Sequence, residues 1–293
     1  MKWKAFLLHL THYDPVWLKT KDTEKRFDRK TAEALIHTAA ESGFNMLIID
    51  IKDAVLYKSL PHLKKRYTVP MRELKELTSL GRKLGLEVVP KLNFSKSPEH
   101  RHSHWLWAEQ CPPDSPASWK DALKAIDEII GVMKPGFLHV GMDEDDTRSP
   151  DEYKRALHFL YRQLKKRNLH MMMWADCGHR WRPAERWKVV PAIETLPRDV
   201  ILMPWSYDHP LEDWTRKFMR WGFEVIGAAS CIKPKKARKK HSLLKNTREW
   251  MATIEKTRAL GIIVTQWTQC SRENAANMLK ALRSCKRLLQ TAQ

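Results

Sequence analysis

The stretch Phe137-Leu-His-Val-Gly-Met-Asp-Glu-Asp-Asp-Thr-Arg-Ser-Pro-Asp-Glu152 holds a strand end and a helix start side by side. Phe137–Gly141 is apolar with no polar alternation, as a parallel strand covered on both faces requires. Four consecutive acids follow, Asp143 to Asp146. Ser149-Pro-Asp-Glu152 then joins a capping box to a proline at the first helical position, and Leu157, Leu160 and Leu164 continue a helical stripe.

The same unit recurs on both sides. Apolar segments of comparable length stand at Ala5–Leu10, Met46–Ile51, Glu87–Leu92, His170–Trp174, Val200–Met203, Phe223–Ala228 and Ile262–Gln266. Amphipathic patterns separate most of them: Asp28–Glu41 closed by Ser42-Gly43, Pro70–Leu84 ending at Gly85, Ser118–Met133, Leu211–Trp221, Leu243–Leu260 and Glu273–Leu289. Arg182–Pro197 carries three prolines and reads as a weak or broken helix. Strand then helix, eight times over 293 residues, predicts a single-domain α/β chain folded as a (β/α)8 TIM barrel over 1–293. A doubly wound open sheet is the alternative. No Gly-x-Gly-x-x-Gly turn follows the first strand and no P-loop occurs, so neither a dinucleotide nor a nucleotide-phosphate cofactor is expected. No linker or composition shift marks a second domain, and no separate N-terminal domain is expected.

Composition narrows the classes. With 43% hydrophobic residues the chain supports a large core, which excludes a disordered or collagen-like polymer. The apolar run nearest the start is too short for a signal-peptide core or a membrane span, so a cytoplasmic protein without a membrane partner is expected. Five cysteines with no CxxC pair argue against a disulfide framework and a thiolate zinc site. Lys and Arg number 53 against 34 Asp and Glu, a net charge of +19 that attracts anionic partners. A polyanion binder is therefore one reading, although no nucleic-acid-binding motif accompanies it. The residues Glu99-His-Arg-His-Ser-His104, with His100 to His104 at their centre, lack the ligand spacing of a zinc motif, and no metal is expected there.

In a barrel of this kind catalytic groups gather where strands finish. Strand four is followed by His139-Val-Gly-Met-Asp143-Glu144, strand five by Trp174-Ala-Asp176, strand six by Trp205-Ser-Tyr207, and strand eight by Trp267-Thr-Gln269. Strand two ends in Asp50-Ile-Lys52-Asp53. Carboxylates bind hydroxyls and move protons, and aromatic faces stack on the apolar faces of sugar rings, so this rim suits a carbohydrate. Neighbouring carboxylates raise each other's pKa, which serves a general acid. Acids near a helix start are the plainer explanation for Asp145 and Asp146.

These residues resemble glycoside hydrolase family 20, the β-N-acetylhexosaminidases, whose signature His-x-Gly-x-Asp-Glu closes the fourth barrel strand. The similarity extends to Met172-Met-Trp174-Ala-Asp176, Trp205-Ser-Tyr207, Ala228-Ala-Ser230, Gly261-Ile-Ile263 and Trp267. It is greatest to the short single-domain, hexosaminidase D-like branch, and covers nearly the whole chain. The resemblance implies a substrate-assisted mechanism in which the sugar's 2-acetamido oxygen is the nucleophile. Glu144 would be general acid and then base, Asp143 would orient the acetamide N–H, and Tyr207 would bond the acetamide oxygen. Trp174, Trp205 and Trp267 would wall the pocket, with Asp176, His139, Asp53 and Gln269 as further substrate-binding candidates. No cofactor is implied, and the molecule is expected as monomer or homodimer. The alternative is a non-catalytic glycan-binding barrel.

Three departures stand out. Ala175 replaces an acid common after the strand-five Trp, Gln269 stands where many members place Glu, and the strand-one Arg is absent, with His9, His12 and Asp14 in that region. The acid pair is intact, but the hydroxyl-recognition pattern, gluco against galacto, is left open. The cationic run Lys233–His241 falls after strand seven, where a solvated loop is the default reading; the sharper one is that it recruits a sulfated or otherwise anionic glycan, with an affinity that weakens as salt rises. Kinetics on neutral and 6-sulfated N-acetylhexosaminides at two ionic strengths test this: the sulfated substrate alone should lose kcat/KM in salt, and an equal response removes the idea.

Overall fold

Eight parallel strands pair in sequence order and the eighth returns to the first, closing a barrel. The strands of this computed structural model are β1 (Trp3–His9), β2 (Met46–Asp50), β3 (Glu87–Lys91), β4 (Phe137–His139), β5 (His170–Ala175), β6 (Ile201–Pro204), β7 (Glu224–Ile232) and β8 (Gly261–Gln266). The helices between and after them are α1 (Arg29–Glu41), α2 (Met71–Lys83), α3 (Pro116–Met133), α4 (Pro150–Lys165), α5 (Pro183–Glu194), α6 (Glu212–Arg220), α7 (Leu243–Thr257) and α8 (Ala275–Thr291). The structure describes residues 1–11, 24–97, 106, 111–177, 183–232 and 243–291. The (β/α)8 architecture expected from the strand–helix alternation is the one observed, and the open sheet is excluded by closure.

Local chemistry explains where the helices begin. Asp28 caps α1 by accepting the Thr31 N–H at 2.8 Å. At α4 both halves of the capping box form, Ser149 N–H to Glu152 at 2.7 Å and Glu152 N–H to Ser149 Oγ at 3.3 Å. Helix α3 starts two residues before the expected Ser118, because Ser115 provides the cap and Pro116 the first turn. Helix α7 stops at Thr257, short of Leu260, where Arg258 turns left-handed at φ 59°. The proline-rich segment forms one continuous helix, α5, with Pro191 inside it.

Side chains alternate inward and outward along each strand. Outward residues such as Phe6, Leu8, Leu47 and Ile49 join the helices in one core. Inward residues fill the barrel, with Leu7, Ile48, Val89, Met172, Met203, Ala228 and Ile263 packed together. Two residues further along, the inward positions become His9, Asp50, Lys91, Trp174, Trp205, Ser230 and Thr265, with His139 on β4. The apolar plug thus ends in a polar and aromatic layer at the C-terminal mouth.

Helix α7 braces that mouth through Trp250, which is fully buried against β7. Its indole N–H donates to the Ser206 carbonyl at 2.9 Å, and Asn246 donates to the same carbonyl at 3.1 Å. The contact needs a glycine: a Cβ on Gly227 would stand 2.5 Å from Trp250 Cε3. Gly227→Ala is expected to cost about 1–3 kcal/mol by overpacking, read as a lower urea midpoint with unchanged slope; an unaltered midpoint would show that α7 shifts freely.

Candidate active site

The acid pair stands on a sharp turn. Gly141, Met142 and Glu144 have φ of 70°, 70° and 51°, all left-handed, a conformation that non-glycine residues hold only when their surroundings enforce it. The enforcement comes chiefly from Asn93, just beyond β3. Its Oδ1 accepts from Met142 N–H at 3.2 Å, Ser95 N–H at 3.0 Å and Ser95 Oγ at 2.8 Å, while its Nδ2 donates to Asp143 Oδ1 at 2.8 Å. A Cβ at Gly141 would lie 2.3 Å from Asn93 Oδ1, so the close approach needs glycine as much as the φ does. Tyr153 donates to the Met142 carbonyl at 2.9 Å, and Glu144 N–H donates to Asp176 Oδ2 at 2.7 Å.

The four acids divide by environment. Asp145 is buried, pairs with Arg148 at 2.5 Å and Lys188 at 3.0 Å, and accepts the Lys96 N–H at 2.7 Å. Arg148 in turn grips Asp114 through two bonds of 2.9 and 2.8 Å. Asp146 is exposed and accepts from Ser97 Oγ at 2.7 Å. These two brace the loop, and Asp143 and Glu144 remain half-buried.

Aromatic residues stand at the ends of three other strands. Tyr207 and Trp205 lie 5.2 Å apart, Trp174 and Trp267 6.1 Å, and Trp174 and His139 4.5 Å between ring centroids. The Tyr207 hydroxyl accepts from the Trp267 indole N–H. Burial above all, and then the Asp143 and Glu144 carboxylates, raise the Tyr207 pKa, so its proton stays on. Asp176 accepts the Trp205 indole N–H on its other oxygen. The structure therefore gathers Asp143, Glu144, Tyr207, Trp174, Asp176, Trp205, Trp267 and His139 at one mouth. Asp53 accepts from the Tyr67 hydroxyl at 2.6 Å, and the Gln269 amide donates to Glu24 at 2.9 Å and to the Lys25 carbonyl at 2.6 Å. His12, Asp14, the residues 99–104 and the run 233–241 lie outside the described residues. Among the described residues no cluster of three or more His, Cys, Asp or Glu is arranged to hold a metal, and no helix is long and apolar enough to cross a membrane.

Sequence reasoning named His139, His9 and Asp50 separately but missed Lys91 and the row that the four form. His9, Asp50, Lys91 and His139 are register partners on β1 to β4, each buried. Asp50 Oδ2 receives His9 Nδ1 at 2.8 Å, Lys91 Nζ at 3.2 Å and Lys52 Nζ at 3.8 Å. Burial pushes the Asp50 pKa up, yet Lys91, Lys52 and His9 outweigh it and hold the carboxyl well below its usual range. Burial first, and Lys52 after it, lowers His9 to about 4. Burial and Lys91 lower His139 well below 6.5. The available signal was the two-residue step from each inward apolar residue to a polar one.

A scan against protein-family models finds no match, and a search of curated proteins by sequence finds none either. Solved structures do match. A family 20 β-N-acetylhexosaminidase from Streptomyces coelicolor A3(2) superposes with TM-score 0.69 at 14% identity, over 98% of this chain and 64% of that one. A family 20 exo-β-N-acetylglucosaminidase from Vibrio harveyi, in complex with N-acetylglucosamine, gives TM-score 0.65 at 15% identity over 97% and 54%. Dispersin B gives 0.58 at 14% identity over 98% of both chains. The chain thus spans between half and two-thirds of the first two. These likenesses establish the class, a (β/α)8 barrel of the type seen in glycoside hydrolase family 20. That is the family whose motifs the rim of this chain resembles.

The neutral imidazole of His9 makes stability depend on pH. With a folded pKa depressed to about 4 from 6.5, the unfolded chain takes up a proton that the folded chain refuses between those values. Stability is therefore expected to fall as pH drops from 6.5 to 4, by on the order of 3 kcal/mol from this group. Urea titrations across that window should show the decline, flatter in His9→Gln; parallel profiles would mean that His9 is not held neutral.

Proposed function

We propose that this protein is an exo-acting β-N-acetylhexosaminidase of glycoside hydrolase family 20, releasing terminal β-linked GlcNAc or GalNAc by substrate-assisted, retaining catalysis. One observation carries the reading: the acid pair stands on an enforced left-handed turn, with Asp143 held by Asn93 and the Glu144 backbone held by Asp176, and both carboxylates act electrostatically on Tyr207. The structural neighbours that hydrolyse such sugars support it at the level of fold.

The acetamide oxygen attacks the anomeric carbon while the bond to the leaving oxygen breaks, and Glu144 delivers its proton to that oxygen. Asp143, held by Asn93, accepts the acetamide N–H and faces the positive charge that spreads into the oxazolinium ring. Tyr207 donates to the acetamide oxygen and fixes its approach. Water then attacks from the opposite side, Glu144 takes its proton, the ring opens, and two inversions leave the anomer retained. An internal nucleophile replaces a protein one, so the largest task of the site is positioning. The indoles of Trp174, Trp205 and Trp267 exclude water and pack the sugar faces. Asp176 accepts the Glu144 N–H and the Trp205 indole N–H, and so fixes the turn and the wall relative to each other.

A panel of nitrophenyl β-hexosides, gluco and galacto, each with and without the acetamide, tests the proposal. Only the acetamido sugars should be cleaved, a thiazoline mimic of the oxazolinium ion should inhibit, and Glu144→Gln should lower kcat roughly 10²- to 10⁴-fold. Equal cleavage of sugars lacking the acetamide would overturn the mechanism, and sugar binding without turnover would make the protein a glycan-binding barrel.

A further inference from the structure

Two separate segments hold the acid pair in place, and one side chain joins them. Arg148 stands between the four acids and α4, with its guanidinium buried. Four of its five N–H groups reach acceptors on three segments. Nε and Nη2 donate to the Asp114 carboxylate ahead of α3, while the two hydrogens on Nη1 go to Asp145 Oδ2 at 2.5 Å and to the Phe94 carbonyl at 3.0 Å. Phe94 follows Asn93, which supports the turn and grips Asp143, and the Phe94 N–H donates to the Val140 carbonyl at 3.1 Å. Asp145 follows Glu144 and accepts a second bond from Arg148, from its backbone N–H at 3.2 Å.

Neutralising Asp145 does not require a guanidinium, because Lys188 already places an ammonium 3.0 Å from it. What the guanidinium adds is a rigid plane, on which the directions toward Phe94, Asp145 and Asp114 are fixed relative to one another. Through Phe94 it fixes the segment that carries Asn93, and through Asp145 the segment that carries Glu144. The paired bonds to Asp114, itself a left-handed residue at φ 66°, keep the plane from turning.

We infer that Arg148 is a positioning residue for the acid pair: it locks the segment after β3 to the turn after β4 and so sets Asp143 against Glu144. The inference rests on the hexosaminidase reading and deepens it, because that reaction needs both carboxylates at once. One aims the acetamide while the other gives up its proton, and a misplacement of about 1 Å in such an arrangement costs on the order of 10²-fold in rate. Arg148 leaves every proton transfer to Glu144. Its guanidinium also borders a cavity of about 260 Å³, open to solvent and lined by Asn93, Phe94, Asp114, Ser118 and Trp119 among others. Truncation to alanine would enlarge that space where the lost group met Asp114 and Asp145, which gives a guanidinium ion from solution a way in.

Arg148→Lys, Arg148→Ala and Asp114→Asn are assayed with nitrophenyl β-N-acetylglucosaminide. Both Arg148 variants should lose about 10²-fold in kcat with KM little changed. Millimolar guanidinium, unlike methylammonium, should restore much of the kcat of Arg148→Ala. Asp114→Asn keeps the bonds to Phe94 and Asp145 and should cost only a few-fold. A wild-type kcat in Arg148→Lys, a change confined to KM, or a folded Arg148→Ala that guanidinium does not restore would overturn the inference. So would an Asp114→Asn loss as large as that of Arg148→Ala, which would move the role to the start of α3. Arg148→Lys keeps the charge beside Asp145 and carries the test if Arg148→Ala fails to fold. If the wild type cleaves no acetamido sugar, the hexosaminidase reading falls instead, and equilibrium binding of the thiazoline decides this one. Weaker binding by Arg148→Lys keeps the positioning role, equal binding overturns it, and no binding by the wild type removes both.

Discussion

Every feature of the barrel mouth depends on one constraint, the two-residue alternation of side chains along parallel strands closed into a ring. Closure puts every second residue inside, where water is excluded and each polar atom needs a partner. Leu7, Ile48, Val89 and Met172 satisfy that demand as an apolar plug. The next inward step brings polar groups to the same depth, and strand register decides which of them meet. His9, Asp50, Lys91 and His139 become neighbours because β1 to β4 are in register at those residues.

The acid pair sits one level above this row and is aimed by a different device. A left-handed turn with a glycine at its start cannot stand by itself, and Asn93 supplies both the acceptor for its backbone and the donor for Asp143. Asp145, Arg148, Lys188 and Asp114 form a buried ion network on the far side of the same loop. Such networks contribute little net stability but punish any rearrangement that strands a charge, which suits a loop that has to hold one geometry. The four acids in sequence thus divide into two braces and a half-buried pair, separated by what surrounds them.

The resulting mouth has three sectors. The β4 turn carries the acid pair, β6 and β8 contribute the aromatic wall with Tyr207 bonded to Trp267, and β1 to β3 hold the charged row. Helix α7 ties the second sector to the barrel through Trp250 and Asn246 on the Ser206 carbonyl, immediately before Tyr207.

Much was legible in the chain alone. The strand–helix rhythm, the capping box at Ser149, and the placement of Asp143, Glu144, Trp174, Trp205, Tyr207 and Trp267 at strand ends follow from short-range pattern, since periodicity and capping are local. The continuity of α5 across Pro191 was not legible, because tertiary packing overrode a local breaker. Nor was the partnership of Asn93 with a turn about 50 residues away, or the convergence of two lysines on Asp50. Those depend on strand register and barrel closure, which bring together residues that no periodicity relates. What the residues were was therefore decided along the chain, and what each one does was decided by its neighbours across the strands.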